Sequence, residues 1–368
     1  MRLLVLGYEY PPIGGGTAHS LKHLLETWSD CADWEIEVWT AAPPSGFLPA
    51  PVRNVRFEYI DCDKRDLHFW TAREQWKLLR KAWRRARTEG SKFDAVLIWG
   101  GWPLGLLLLG PLKNIPAVLS LRGSDVPGFN PRTSNILWKF AAKKVWRRAA
   151  CLTANSPVLA ALAKKTLPNA DIKVIPNGVI LPAEYDEATD SEKFRILCVS
   201  RLIPRKRIDW IIRAVAQLDG GLRKRVEVEI VGGGPLRTEL ANLGGSLGVV
   251  NRVHFLEEVP QEELPGIYHC ASCFVLPSEA EGLSNALLEA MSYGLPCLVA
   301  TRTGFEDIDE VVQRFETLEE LATNLTELLR NTDSGFEAGQ KGREVASHYS
   351  WQAVGRRYKE LLGNDVEQ

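Results

Sequence analysis

Residues 273–296, Cys-Phe-Val-Leu-Pro-Ser-Glu-Ala-Glu-Gly-Leu-Ser-Asn-Ala-Leu-Leu-Glu-Ala-Met-Ser-Tyr-Gly-Leu-Pro, read as a strand, a loop and a helix in close succession. The apolar run Cys273 to Leu276 is a buried strand that stops at Pro277. Asn285 to Tyr293 follows as a helix, with Ser284 as N-cap and Gly294 as its stop. Glu281 and Glu289 stand eight residues apart. On one continuous helix they would diverge by roughly 80°. With Glu281 on the loop and Glu289 on the helix, both face the strand's carboxyl end. The backbone amides of Gly282, Leu283 and Ser284 then lie at a helix start, where anions bind. Such a site suits a phosphorylated sugar, with Glu289 gripping ribose hydroxyls and Glu281 facing the transferred group. A surface acid beside a helix-face acid is the alternative.

Outward from this stretch, short Val/Ile/Leu runs alternate with helical segments along almost the whole chain. Strands are expected at 2–6, 35–40, 94–99, 116–121, 150–153 and 172–175, then at 195–200, 226–231, 252–256, 273–276 and 297–300. Continuous apolar runs mark parallel strands buried on both faces, so both halves read as doubly wound α/β, Rossmann-like domains. The expected division is 1–180, a polar linker at 181–193, and 194–348, with 349–368 as a final segment. Ligands bind at the carboxyl ends of such sheets, so a cleft between the two domains is the expected site.

The 368 residues carry a net charge of −1 that conceals +10 on residues 1–180 and −11 on the remainder. The two halves therefore suit different partners. Seven scattered Cys point to a reducing, cytoplasmic compartment, and Cys270-Ala-Ser-Cys273 lacks the second pair a zinc clip needs. No window is apolar enough to span a bilayer, and the first residues read as a strand in place of a signal peptide.

Four further motifs fall at expected strand ends. Gly14-Gly15-Gly16-Thr17 lets backbone approach a bulky anion at a helix start, yet is neither GxGxxG nor a P-loop. Arg201 and Lys206, in Ser-Arg-Leu-Ile-Pro-Arg-Lys-Arg, would neutralise a diphosphate leaving group, or form a solvated basic turn. Gly232-Gly233-Gly234-Pro235 shapes the floor of the same site or serves packing. Arg122, Ser124 and Asp125 would face the site from the first domain, where Asp125 orients an acceptor hydroxyl or caps a turn. Two Asp-x-Asp triplets, at 61–63 and 307–309, sit in acidic loop-like text and are read as chance, with no metal expected.

Segments 70–87 and 138–148 are basic and Trp-bearing. In the first, Trp76, Leu79 and Trp83 share one helical face. Peripheral contact with an anionic membrane is one reading, and a solvated helix with its apolar stripe in the core is the other. No motif supports nucleic-acid binding.

Taken together, these elements resemble the GT-B retaining glycosyltransferases of family 4 over nearly the whole chain. Pro-Pro-x-Gly-Gly-Gly, Ile175-Pro176-Asn177-Gly178-Val179, Arg201 with Lys206, the Gly232 turn and Glu281-x7-Glu289 occur in the family's order. The resemblance implies two Rossmann-like domains facing each other across a cleft, and no cofactor beyond a nucleotide-diphosphate sugar substrate. It implies that Arg201 and Lys206 hold the diphosphate, Glu289 the ribose, and Glu281 with Gly282, Leu283 and Ser284 the donor sugar. Gly15 and Gly16 would border the phosphates, and the last helix, about 350–363, would cross back to the first domain. Three positions depart from the pattern. Arg122 stands where relatives often place His, Glu281-Gly-Leu-Ser replaces Glu-Gly-Phe-Gly, and the loop after Gly304 is short. With no His there, the departing phosphate itself would take the acceptor proton. The expected activity is sugar transfer to a hydroxyl acceptor, in cell-envelope polysaccharide or glycolipid synthesis. A nucleotide-sugar 2-epimerase and a non-catalytic nucleotide-sugar or membrane-binding protein are the rival readings.

Overall fold

The computed structural model describes residues 1–44, 51–129, 135–182, 193–257, 259–260, 262–279, 283–300 and 305–364. Two compact units divide the chain, Met1–Gly178 with Trp351–Gln368, and Val179–Ser350.

The first unit runs β1 (Arg2–Gly7), α1 (Gly16–Thr27), β2 (Glu35–Ala41), β3 (Val55–Ile60) and α2 (Ala72–Glu89). It continues through β4 (Ala95–Trp99), β5 (Ala117–Leu121), α3 (Ile136–Trp146), β6 (Cys151–Ala154), α4 (Pro157–Lys164) and β7 (Ile172–Val174). All pairings are parallel, in the order β3-β2-β1-β4-β5-β6-β7. Every residue of β4 and β5 is buried, as parallel strands covered on both faces require. Side-chain alternation assigns each residue to a layer. Leu4 and Leu6 pack with Leu78 and Ala82 of α2 and with Val145 and Trp146 of α3. Leu3 and Val5 pack with Leu21 and Leu24 of α1. Helices α2 and α3 thus share one face of the sheet, and α1 covers the other.

The second unit runs β8 (Phe194–Val199), α5 (Ile208–Gln217), α6 (Gly220–Arg225), β9 (Val226–Val231), α7 (Arg237–Ser246), β10 (Val253–Leu256) and α8 (Leu264–Cys270). There follow β11 (Cys273–Leu276), α9 (Asn285–Ser292), β12 (Cys297–Val299), α10 (Glu306–Val311), β13 (Gln313–Arg314), α11 (Leu318–Arg330) and α12 (Thr332–Ser347). Its parallel order is β10-β9-β8-β11-β12-β13. The chain turns outward in opposite directions from β8 and β11. The crevice beyond their carboxyl ends is where a doubly wound sheet accepts a ligand.

After Ser350 the chain returns to the first unit as α13 (Trp351–Asn364). Trp351, Val354, Tyr358 and Leu362 recur at helical spacing and join the α1 face of the core. Burying each contributes about 1.5–3 kcal/mol. Tyr358 brings its hydroxyl to 2.8 Å from Ser120 Oγ and 3.0 Å from Thr153 Oγ1 at the heart of that layer. A side chain at Gly178 would run into Trp351, with its Cβ 2.6 Å from the indole, so Gly is required there. No described helix is long and apolar enough to cross a membrane.

Two points differ from the sequence reading, and a third adds to it. Strands β3 and β13 escape it, the first because Val-Arg-Phe-Glu-Tyr-Ile is a half-buried edge strand with alternating charge, the second because it is two residues long. In α2 the buried stripe is Leu78, Leu79, Ala82 and Ala86, whereas Trp76 is 67% exposed. The triplet at 61–63 is engaged by α2 itself, with Lys81 3.1 Å from Asp61 and Lys77 paired to Asp63.

Candidate active site

The loop after β8, Ser200 to Arg207, and the loop after β11, starting at Pro277, both leave the second sheet at its switch point. Two contacts tie them. The Glu279 N–H donates to the Arg205 carbonyl oxygen at 2.9 Å, and Arg207 Nε donates to Glu279 Oε1 at 2.7 Å. Arg207 adopts a left-handed φ of 47° before α5 begins. Arg201 is exposed, and its guanidinium forms no ion pair or hydrogen bond among the described residues. Lys206 is 8% exposed, held at the base of the loop above Cys198. One cation is therefore solvated, the other enclosed, and both belong to one loop.

The glycine turn after β9 explains how that loop is held. Ser200 N–H donates to Val231 O at 2.9 Å, Leu202 N–H to Gly233 O at 2.9 Å, and Leu236 N–H to Leu202 O at 3.2 Å. Gly232 and Gly234 have φ of 124° and 155°. A Cβ on Gly234 would sit 2.5 Å from the Leu202 carbonyl oxygen, and one on Gly232 would strike that of Ser200. The three glycines let two backbones touch, and Gly233 supports the Arg201 loop through its carbonyl.

Helix α9 begins at Asn285, and its N-cap Ser284 makes no side-chain capping bond. Leu283 is buried beneath it. Ser284 thus supplies no side-chain cap of its own, and a helix start of this kind suits an anion. Glu289 projects from the second turn of α9, half-buried, and its Oε2 accepts a hydrogen bond from Tyr268 Oη at 2.7 Å. Tyr268 is buried, with its ring stacked 5.6 Å from Tyr293. Burial, reinforced by the Glu289 carboxylate, holds its phenol far above the usual range and so protonated. Just past β11, Ser278 Oγ is enclosed with no hydrogen-bond partner among the described residues. Glu281 and Gly282 lie outside the described residues.

In the first unit, Gly15 is the N-cap of α1 and Gly16 its first residue, again without a side-chain cap, and space beside Gly15 is open. Arg122 follows β5 but turns into the packing. Its Nη2 donates to Ser20 Oγ at 3.1 Å and to Asn177 Oδ1, and its guanidinium lies 4.0 Å from the centre of the Trp99 ring. Its Nε and Nη1 are enclosed with no hydrogen-bond partner among the described residues. Asp125, expected to orient an acceptor or cap a turn, does the second. Its carboxylate accepts the amides of Gly101 at 2.7 Å, Arg122 at 2.9 Å and Gly123 at 2.8 Å. Burial raises its pKa despite those bonds. Ser124 alone of this trio is exposed.

The remaining motifs resolve locally. Asp307 of the second triplet accepts Tyr349 Oη at 2.7 and 2.9 Å. Cys270 is exposed while Cys273 is buried in β11, and both thiols are free. Sequence reasoning missed Tyr268, Ser278 and the Arg207–Glu279 pair, and it named Asn177 only as part of the Ile175 to Val179 motif. The first lies 21 residues from the carboxylate it serves, and no short-range spacing could have linked them.

Most of the chain is similar to known proteins. The profile of Glycosyltransferase Family 4 matches residues 14–181, and that of Glycosyl transferases group 1 matches residues 193–331. The chain is 30% identical over 308 residues to a GDP-mannose-dependent alpha-(1-6)-phosphatidylinositol monomannoside mannosyltransferase of Mycolicibacterium smegmatis, covering 74% of this chain and 78% of that one. It is 30% identical over 319 residues to a D-inositol 3-phosphate glycosyltransferase of Actinosynnema mirum, covering 80% and 69%. The fold is that of Anabaena HepE crystallised with UDP, at a TM-score of 0.76 and 19% identity over 99% of this chain and all of that one. The lipopolysaccharide glycosyltransferase WaaG superposes with a TM-score of 0.73 at 16% identity, over 98% and 99%. The chain belongs to the group 1, family 4 glycosyltransferases and has their GT-B fold of two parallel α/β units.

Proposed function

We propose that this glycosyltransferase moves a mannosyl group from GDP-mannose to a phosphatidylinositol-type glycolipid, with retention at the anomeric carbon and without a metal. The observation that carries the donor half is the joining of two strand-end loops by Arg207, Glu279 and Arg205. It supports the reading that Arg201 and Lys206 act beside the start of α9, whose N-cap Ser284 makes no side-chain capping bond. Two cations and a helix N-terminus are what a leaving diphosphate needs, because they stabilise charge as it develops. Glu289, aimed by Tyr268, takes the ribose hydroxyls, and Glu281 faces the donor sugar. The curated relatives' use of GDP-mannose and of phosphatidylinositol mannosides supports the choice of donor and acceptor.

In this reading the bond between the sugar's anomeric carbon and the diphosphate oxygen breaks, with its electron pair leaving on the phosphate. The acceptor oxygen bonds to the same face of that carbon, and its proton passes to a departing phosphate oxygen. A metal is not called on: Asp61 and Asp63 pair with lysines and Asp307 with Tyr349. Incubation with radiolabelled GDP-mannose and phosphatidylinositol monomannoside, in buffer containing EDTA, tests the whole scheme. A labelled lipid with an α linkage supports it. Transfer only to soluble D-inositol 3-phosphate moves the acceptor, and an epimerised sugar formed without acceptor overturns the transferase reading.

A further inference from the structure

At the carboxyl ends of the first sheet, three amides take up the carboxylate of Asp125. A second acid stands at the same ends. Tyr8 and Glu9 follow β1 directly, Gly100 follows β4, and Ser124 lies just past β5. Glycines let the first two pack closely. A Cβ on Gly100, whose φ is 87°, would lie 3.2 Å from the Tyr8 ring. One on Gly14, at a φ of 96°, would lie 2.7 Å from Glu9 Oε2. The Glu9 carboxylate thus rests against the Gly14-Gly15-Gly16 turn.

Its immediate partners are an indole and a phenol. Oε1 accepts a hydrogen bond from Trp70 Nε1 at 3.0 Å, and the Trp70 ring stands edge-on to that of Tyr8 with centres 5.4 Å apart. The Tyr8 hydroxyl interacts with both Glu9 and Ser124. Lys64 is near, but its ammonium donates to the Phe69 carbonyl at 2.6 Å and lies 3.8 Å from Glu74. Glu9 forms no ion pair among the described residues. An ionised carboxylate offers about four acceptor positions, and the indole and the phenol fill only part of them. Burial raises the Glu9 pKa in spite of those bonds, as expected of a half-buried charge short of donors.

We propose that Glu9 reads the acceptor: its carboxylate accepts hydrogen bonds from two neighbouring hydroxyls of a sugar or cyclitol ring, beside the Tyr8 phenol and the exposed Ser124. Neutral hydroxyls supply the missing donors without adding negative charge. A phosphate supplies none and is repelled, so the acceptor's phosphodiester points away from Glu9. Tyr8 and Trp70 add apolar ring edges for the C–H groups of the same ring. The inference rests on the transferase reading above and deepens it, naming the residue that selects the acceptor.

Saturation-transfer NMR of the chain with GDP present tests it, using myo-inositol, methyl α-mannoside and the monodeoxy analogues of each. One of the two rings is expected to bind, and removal of either of two adjacent hydroxyls should weaken it roughly tenfold. Glu9→Gln keeps an oxygen for Trp70 and loses the charge. It should bind the parent ring roughly tenfold more weakly and no longer respond to loss of those two hydroxyls. Unchanged melting temperature and GDP affinity show that the variant is folded. A wild type that binds neither ring, or treats all the monodeoxy analogues alike, overturns the proposal. So does a Glu9→Gln variant that still tells them apart, for Glu9 would then serve only to hold Trp70. No sugar moves in this titration, so the two readings fail separately. The expected binding pattern in a chain that transfers nothing from GDP-mannose supports the ring site and sinks the transferase reading.

Discussion

The hydroxyl of Tyr268 donates a hydrogen bond of 2.7 Å to Oε2 of Glu289 across two helices of the second unit. It comes from a fully buried side chain whose ring is fixed against Tyr293, so the carboxylate is aimed by something that cannot move away. Hydrogen bonds to charged groups contribute about 1.5–3 kcal/mol. Tyr268→Phe keeps the stacked ring and removes only the donor. Its KM for the nucleotide sugar is expected to rise roughly tenfold or more, with kcat little changed. In Glu289→Gln the same substitution should add little further, since the two act as one unit. Steady-state kinetics of the two single variants and the double variant decide it. Additive losses would mean that the phenol does not act through the carboxylate.

Arg201 and Lys206 should not be equivalent despite sharing a loop. Arg201 is exposed and unpaired among the described residues, so Arg201→Ala removes a charge without disturbing packing. Its expected effect is a loss of roughly 10²–10³ in kcat/KM at unchanged melting temperature. Lys206 is buried, and Lys206→Ala should lose activity as much while also shifting the melting temperature. Wild-type turnover in both variants would remove the diphosphate from this loop.

The loop's setting shows what a sequence can disclose and what it withholds. Strands such as β4 and β5 are legible because burial on both faces leaves no room for polar residues. The crevice at β8 and β11 is legible because Arg201, Lys206 and Glu289 follow recognisable strand ends. The face of α2 is only partly legible, because periodicity places Trp76, Leu79 and Trp83 on one side without telling whether that side packs or faces outward. The face that packs is Leu78, Leu79, Ala82 and Ala86, while Asp61, Asp63 and Glu58, 14 or more residues upstream, pair with cations that flank it. Arg122 shows the same limit. Its departure from the family's His is visible in the sequence, but its turn inward to Ser20, Asn177 and Trp99 needs partners from three distant segments.

Acid stability should centre on the start of α2. Glu74 closes a capping box with Thr71, accepts the Arg65 amide at 3.0 Å and lies 3.8 Å from the buried Lys64 ammonium. Burial alone would raise its pKa, yet the bonds from Thr71 and Arg65 and the charge of Lys64 outweigh it, and the carboxyl ends below its usual range. A carboxyl with a lower pKa in the folded state stabilises at neutral pH, and the contribution disappears as pH falls through the carboxylate range. Glu74→Gln is expected to cost about 2 kcal/mol at neutral pH, and less as the pH is lowered. Denaturant midpoints across that range check it. A cost that stayed constant with pH would refute the assignment.

The last expectation concerns backbone contact beneath the donor loop. Gly232 has a φ of 124°, a conformation L-residues seldom adopt, and a Cβ there would press on the Ser200 carbonyl oxygen. Gly232→Ala therefore incurs strain and a clash with main chain that cannot rotate aside, at least about 2 kcal/mol. Relief would come from pushing the Ser200 to Leu202 segment away, which breaks the 2.9 Å bond from Leu202 to Gly233 and displaces Arg201. The variant should lose GDP binding out of proportion to its lost stability, whereas Gly245→Ala, within α7 and with open space beside it, should keep both. Calorimetric titration with GDP at a temperature where both variants are folded separates the two effects. Equal GDP affinity in the two would show that the glycine turn does not position the cationic loop.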